Sequence, residues 1–135
     1  MSEADKIKNV EKVFCYWLDA SDDDYKVMVS LYDAKNYAWA LFLGHIVMEK
    51  LLKAYYVKKH ERHAPFTHNL YRLAELSELE VTEEYANWLD KVTTFNINAR
   101  YEDYKKEFRK LCTASFAKEW IEKINTLQQW IKQML

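Results

Sequence analysis

The run Tyr37-Ala-Trp-Ala-Leu-Phe-Leu-Gly-His-Ile-Val-Met-Glu-Lys-Leu-Leu-Lys-Ala-Tyr-Tyr56 decides how the chain is read. Tyr37, Leu41, His45, Met48, Leu52 and Tyr55 follow one another at steps of three or four, the period of an α-helix. Phe42, Leu43, Ile46 and Val47 fill the remaining sides, so the first half is apolar nearly all round. Such a helix has to be buried on several sides. Glu49 and Lys53 interrupt it one turn apart, in the favourable order for an i, i+4 ion pair. Charges at the edge of a central helix need further partners, because unpaired buried charge is costly. The rest of the sequence is expected to wall this helix in and to supply those partners.

The chain has 135 residues, enough for a single domain with one real core, and residues 1–135 are read as one helical domain. One Gly and one Pro are too few turn residues for hairpins and sheets, so the fold class expected is all-α. Half the residues are apolar and 16% aromatic, which excludes disorder. Twenty Lys and Arg stand against 21 Asp and Glu, for a net charge of −1. Nucleic-acid binding driven by bulk charge is therefore not expected, which leaves a local basic patch as the alternative. Cys15 and Cys112 are isolated and lie in apolar helical surroundings, so they read as buried free thiols rather than a disulfide or zinc framework. The opening Met1-Ser-Glu-Ala-Asp-Lys lacks the apolar region of a secretion signal. The longest uncharged run, Asn36 to Met48, is too short to span a bilayer, and a cytoplasmic location is expected.

Along the chain, Ser2 to Asp5 offers a cap for a first helix with Ile7, Val10, Phe14, Trp17 and Leu18 on one stripe. Ser21 followed by Asp22, Asp23 and Asp24 has the pattern of a second N-cap, so the helix either breaks there or runs on to Lys35. Asn36 marks the turn into the central helix, and Lys58-Lys59-His60 suits its negative end. The loop His60 to Thr67 holds the only proline, and Thr67 is the expected cap of a short helix with Leu70, Leu73, Ala74 and Leu76 inside. Thr82 caps the next, with Tyr85, Leu89, Val92 and Phe95 inside. From Asn96 to Lys110 the helical stripe fades. Phe116, Trp120, Ile124, Leu127 and Ile131 then form the face of a closing helix. The architecture expected is an up-and-down bundle of four to five helices.

Two polar clusters stand out. His60, Glu61, His63 and His68 surround the loop; His60-x-x-His63 could in principle take a transition metal, but a solvated helix end fits it better and no metal is expected. His45 reads as a hydrogen-bonded core histidine. Asn96-Ile-Asn-Ala-Arg-Tyr-Glu-Asp-Tyr104 sets Arg100 among amides and tyrosines. A guanidinium fork there suits a phosphate or carboxylate, and Tyr101 or Tyr104 could stack a base. The alternative is structural, with Arg100 as the missing partner of Glu49.

The order Glu49-Lys-Leu-Leu-Lys53-Ala54, then Thr67-His68-Asn69-Leu70, then Ala99-Arg100-Tyr101 resembles the HEPN family, the higher eukaryotes and prokaryotes nucleotide-binding domain. The likeness covers roughly Trp17 to Trp130. It implies an up-and-down helical bundle, often a homodimer, often of bacterial or archaeal origin. Many such small proteins pair with a minimal nucleotidyltransferase, and some pairs behave as toxin and antitoxin. Catalytic members are metal-independent ribonucleases whose motif is an Arg, four to six intervening residues, then a His.

Arg100 matches that arginine, but no histidine follows His68. Tyr104 stands close to where the histidine could fall, and a phenol titrating near ~10 is a poor general base at neutral pH. Glu102 replaces a proline common after Arg-Tyr in small members, with Asp103 retained. Arg62 to His68 has the ribonuclease spacing but lies in the wrong loop. The reading is thus a non-catalytic, dimeric binding module without a cofactor. Its ligand would be a nucleotide, an RNA or other nucleic-acid phosphate, or a nucleotidyltransferase partner, with no membrane involved. The residues implied are Glu49, Lys53, His68, Asn98, Arg100, Tyr101 and Asp103. One rival is a degenerate ribonuclease using Arg100 with Tyr104 or His68; another is a purely structural dimer. The load of five Trp, ten Tyr and six Phe motivates the dimer.

Overall fold

A computed structural model describes residues 7–135. The expected cap at Ser2 to Asp5 lies outside them. Six α-helices follow in order: α1 (Val10–Asp33), α2 (Tyr37–His60), α3 (Leu70–Leu76), α4 (Glu83–Arg100), α5 (Glu102–Leu111) and α6 (Ala114–Lys132). The four long ones form the bundle and two short ones complete it, so the fold is all-α as expected, with one helix beyond the upper count. None of the six is long and apolar enough to cross a membrane.

The centre is α2, which packs against each of the other five helices. Leu41, Val47, Met48, Leu51, Leu52, Ala54 and Val57 are fully enclosed, pointing in several directions round its axis as its all-round apolarity requires. Gly44 is there because α6 comes too close for a side chain. A Cβ at that position would lie 2.5 Å from Ile124 Cδ1. The helix ends at Lys58, Lys59 and His60, with Glu61 in the left-handed region (φ 56°) turning the chain out.

Two local expectations need correction. Ser21 is not a cap: α1 runs through it unbroken, and its buried Oγ donates to the carbonyl of Val47, at 2.8 Å. The neighbouring carboxylates reach across to other helices, Asp24 accepting from Lys50 (2.6 Å) and Asp22 from Lys132 (2.7 Å). The actual cap of α1 is Asn9, whose Oδ1 accepts from the Lys12 amide. Thr67 does not cap α3 either. Asn69 does, accepting from the Arg72 amide, while Thr67 Oγ1 accepts from the Asn69 amide and fixes the turn before it.

The stretch Asn96 to Lys110, where the apolar stripe fades, is helical on both sides of a break at Tyr101. Only Phe108 of α5 is buried, and it is enough: its ring lies 5.6 Å from that of Phe95, which also meets Trp120 at 5.7 Å. Thr82 and Thr113 cap α4 and α6 by accepting from the amides three residues on. Both cysteines are free. Burial pushes the Cys112 thiol up to about 11, whereas Cys15 is only half-buried.

Candidate functional site

Phe42, His45, Glu49 and Lys53 recur along α2 at steps of three, four and four. At 100° per residue they fall within one narrow stripe, roughly 16 Å long. The partners that the stripe collects come from α1, α4 and the loop between α2 and α3.

Glu49 is its hub, with its side chain 13% exposed. Oε1 accepts from His68 Nδ1 at 2.7 Å and Oε2 accepts from Lys53 Nζ at 3.0 Å. Nε2 of His45 stands 3.9 Å from Oε1. Arg100 is not among the partners, which corrects the structural alternative drawn from the sequence. It sits a turn or two nearer the start of α2. Its guanidinium carbon is 5.5 Å from the Phe42 ring centroid and its Nε donates to Asn96 Oδ1 at 2.6 Å. Among the described residues no carboxylate lies within ion-pair distance of it.

His45 is 1% exposed and hydrogen-bonded, the core histidine that the sequence suggested. Its Nε2 lies 2.8 Å from the carbonyl oxygen of His68. A carbonyl can only accept, so Nε2 carries the proton and Nδ1 is a bare acceptor, which finds no partner. The loop is thus held twice at His68, by its backbone to His45 and by its ring to Glu49. Nε2 of His68, on a side chain 54% exposed, has no hydrogen-bond partner among the described residues.

Lys53 turns inward. Its ammonium, bonded to Glu49, lies 5.2 Å from the Trp17 ring centroid and 5.9 Å from that of Phe66. Glu49, Lys53 and His68 therefore meet directly, while Arg100 stands apart from them over Phe42, earlier on the same stripe. Asn98 is half-buried on α4, while Tyr101, Asp103 and Tyr104 are exposed at the α4–α5 break. None of these four hydrogen-bonds to the cluster. Sequence reasoning placed Phe42 and Trp17 only on apolar helix faces, passed over Phe66, and named Asn96 only as part of a cluster. The i, i+4 spacing of Asn96 and Arg100 was a usable signal for that pair; exposure of Phe66 had none. His60 and His63 do not converge on a metal site, and no group of three or more His, Cys, Asp or Glu does so among the described residues.

The family model of the HEPN domain matches residues 15–134. The chain belongs to the HEPN family. A HEPN domain indicates a nucleotide- or RNA-related role. No curated protein and no solved structure matches the chain.

The charge state of this HEPN site is tied to folding. Burial lowers the pKa of His45 below its ordinary value, and the Arg100 charge acts in the same direction. The His68 carbonyl and Glu49 oppose them without prevailing. For Glu49, burial pushes upward but is outweighed by the hydrogen bonds from His68 and Lys53 and the charges of Lys53 and His45. Its carboxyl is held below the usual range. Both groups thus bind protons less readily when folded, so each makes stability fall with falling pH. For His45 the loss begins near pH ~6.5, the unfolded value, and continues down to the folded pKa. Glu49 adds to it below ~4.3. Thermal melts between pH 7.5 and 4 are expected to show this decline, with His45→Gln flattening its upper part. An unchanged slope in His45→Gln would remove His45 from the account.

Proposed function

We propose that this HEPN domain is a binding module for the phosphate of a nucleotide or nucleic acid, seated on Arg100. The observation that carries this reading is the state of the guanidinium. Asn96 and the Phe42 ring hold it in one orientation, and no carboxylate among the described residues neutralises it. An oriented guanidinium with its terminal NH₂ groups unspent suits bidentate recognition of phosphate. Arg100 is also exposed, so a ligand rests on an open face. Lys53 contributes through Glu49 rather than by touching the ligand. Asn98, Tyr101 and Asp103 remain proposed contacts beyond Arg100.

The family likeness extends the proposal to a homodimer and to a nucleotidyltransferase partner. Exposed Ile97, Tyr101 and Tyr104 around the α4–α5 break support such contacts. A clean monomer by light scattering at micromolar concentration would count against the dimer.

One observation favours the ribonuclease as a second reading. Glu49 holds Nδ1 of His68 at 2.7 Å and so fixes the ring, the geometry of a carboxylate-steered general base whose neutral form would act through Nε2. Arg100 covers Phe42 and His68 bonds His45 and Glu49, residues of one stripe of α2, so both meet the same face of that helix. Tyr104 has no such steering group. The test measures RNA affinity and RNA turnover in chelator for the wild type, His68→Ala and Tyr104→Phe. Binding with absent or very weak turnover is expected. Robust metal-independent turnover abolished by either substitution would replace the binding-module reading with the enzyme.

A further inference from the structure

Phe66 is the most exposed large apolar residue of the described chain, at 101% of its reference area. A solvated phenylalanine adds nothing to the core, and a loose loop would let the ring fold back against nearby apolar surface. This loop is not loose. Pro65 precedes the ring, the Thr67 amide donates to the Pro65 carbonyl, and Thr67 Oγ1 takes the Asn69 amide. Two residues on, His68 is pinned by its carbonyl to His45 and by its ring to Glu49. Phe66 is thus displayed by the same two anchors that orient His68.

Its surroundings are those of a stacking surface. Lys53 Nζ lies 5.9 Å from the Phe66 centroid and 5.2 Å from that of Trp17, and Tyr16 beside Trp17 is 65% exposed. Trp17 and Tyr16 also line an apolar hollow with Val13. Arg100 stands at the opposite end of the α2 stripe, over Phe42, while Phe66 stands over Lys53. A guanidinium and an exposed aromatic face therefore mark the two ends of a strip roughly 16 Å long.

We propose that Phe66 is a stacking platform for an unpaired nucleobase, and that the ligand of the Arg100 site is a single-stranded nucleic acid lying along α2. This rests on the phosphate-binding reading of Arg100. A duplex offers phosphates but keeps its bases stacked on one another, so it would leave Phe66 unused. A single strand offers both phosphates and open π-faces. Phe66 discriminates by base exposure, and Arg100 supplies the charge.

The test is fluorescence anisotropy with labelled, unstructured RNA and DNA ten-mers and the matching duplexes. The proteins are the wild type, Phe66→Ala, Phe66→Trp and Arg100→Ala. Phe66→Ala is expected to weaken single-strand binding about 5- to 150-fold, the loss of one stacked base, and to leave duplex binding and the thermal melt unchanged. Phe66→Trp restores binding. The same pattern with RNA alone, DNA alone or both supports the platform and tells which sugar is read. Wild-type affinity in Phe66→Ala with loss in Arg100→Ala overturns the platform and leaves the phosphate site standing. No strand binding by the wild type overturns both. A dimer that dissociates in Phe66→Ala, seen by light scattering, also overturns the proposal and makes Phe66 an interface residue.

Discussion

Glu49→Ala is expected to cost the fold about 3–5 kcal/mol, the range for removing one member of a buried charge group. Glu49 answers both Lys53, whose side chain is 10% exposed, and His68. Without it the Lys53 ammonium stays lodged beside Trp17 and Phe66 with no anion, and aromatic faces alone do not replace a carboxylate. His68 loses the acceptor for Nδ1, and the loop from Glu61 to Asn69 keeps His45 as its single anchor there. Glu119→Ala is the control, since its own side chain is 51% exposed and pairs formed by exposed carboxylates contribute about 0–1 kcal/mol. Chemical denaturation of both variants gives the comparison. Adding Lys53→Met to Glu49→Gln is expected to recover part of the loss, because the stranded cation is then gone. A Glu49→Ala variant as stable as Glu119→Ala would sink this account of the hub.

Arg100→Ala is expected to weaken binding of a phosphate-bearing strand about 10- to 100-fold, the loss of hydrogen bonds to a charged group. The dependence of log affinity on log salt should flatten by about 0.7, the value for one phosphate of a single strand. Arg100→Lys should keep the salt slope and lose part of the affinity, because an ammonium keeps the charge without the planar fork. Stability should hardly change, since the guanidinium makes one hydrogen bond, to Asn96, and no ion pair among the described residues. Affinity unchanged in Arg100→Ala would leave the side chain as packing on Phe42 and would withdraw the phosphate site.

Much of the fold was legible in the sequence where the signal is local. The α2 segment was readable because apolar residues occupy all its sides, Asn36 stands before it and three basic residues end it. Thr82 was readable as a cap because the bond it makes spans three residues. Ser21 was left undecided between a cap and a helix interior for the complementary reason. A serine before three aspartates looks the same whether its hydroxyl turns back to its own helix or across to Val47, and only the neighbouring helix decides. The choice between Thr67 and Asn69 likewise depends on how the loop turns.

The site divides along the same line. Glu49 and Lys53 were paired from sequence because a helix places residues four apart on one face whatever surrounds it. The remaining partners were a matter of register between elements. Sliding α4 by two turns against α2 would carry Arg100 from Phe42 toward Glu49, and nothing in either segment alone forbids it. The packed core does, through Phe95 against Phe108 and Trp120, which fixes where α4 ends. His68 reaches Glu49 because the loop folds back onto α2, and that same fold leaves Phe66 in solvent. The sequence by itself determined which residues could carry charge and where the helices run. Tertiary packing decided which charges met, because contacts between elements depend on the register of whole helices and loops rather than on spacing within one.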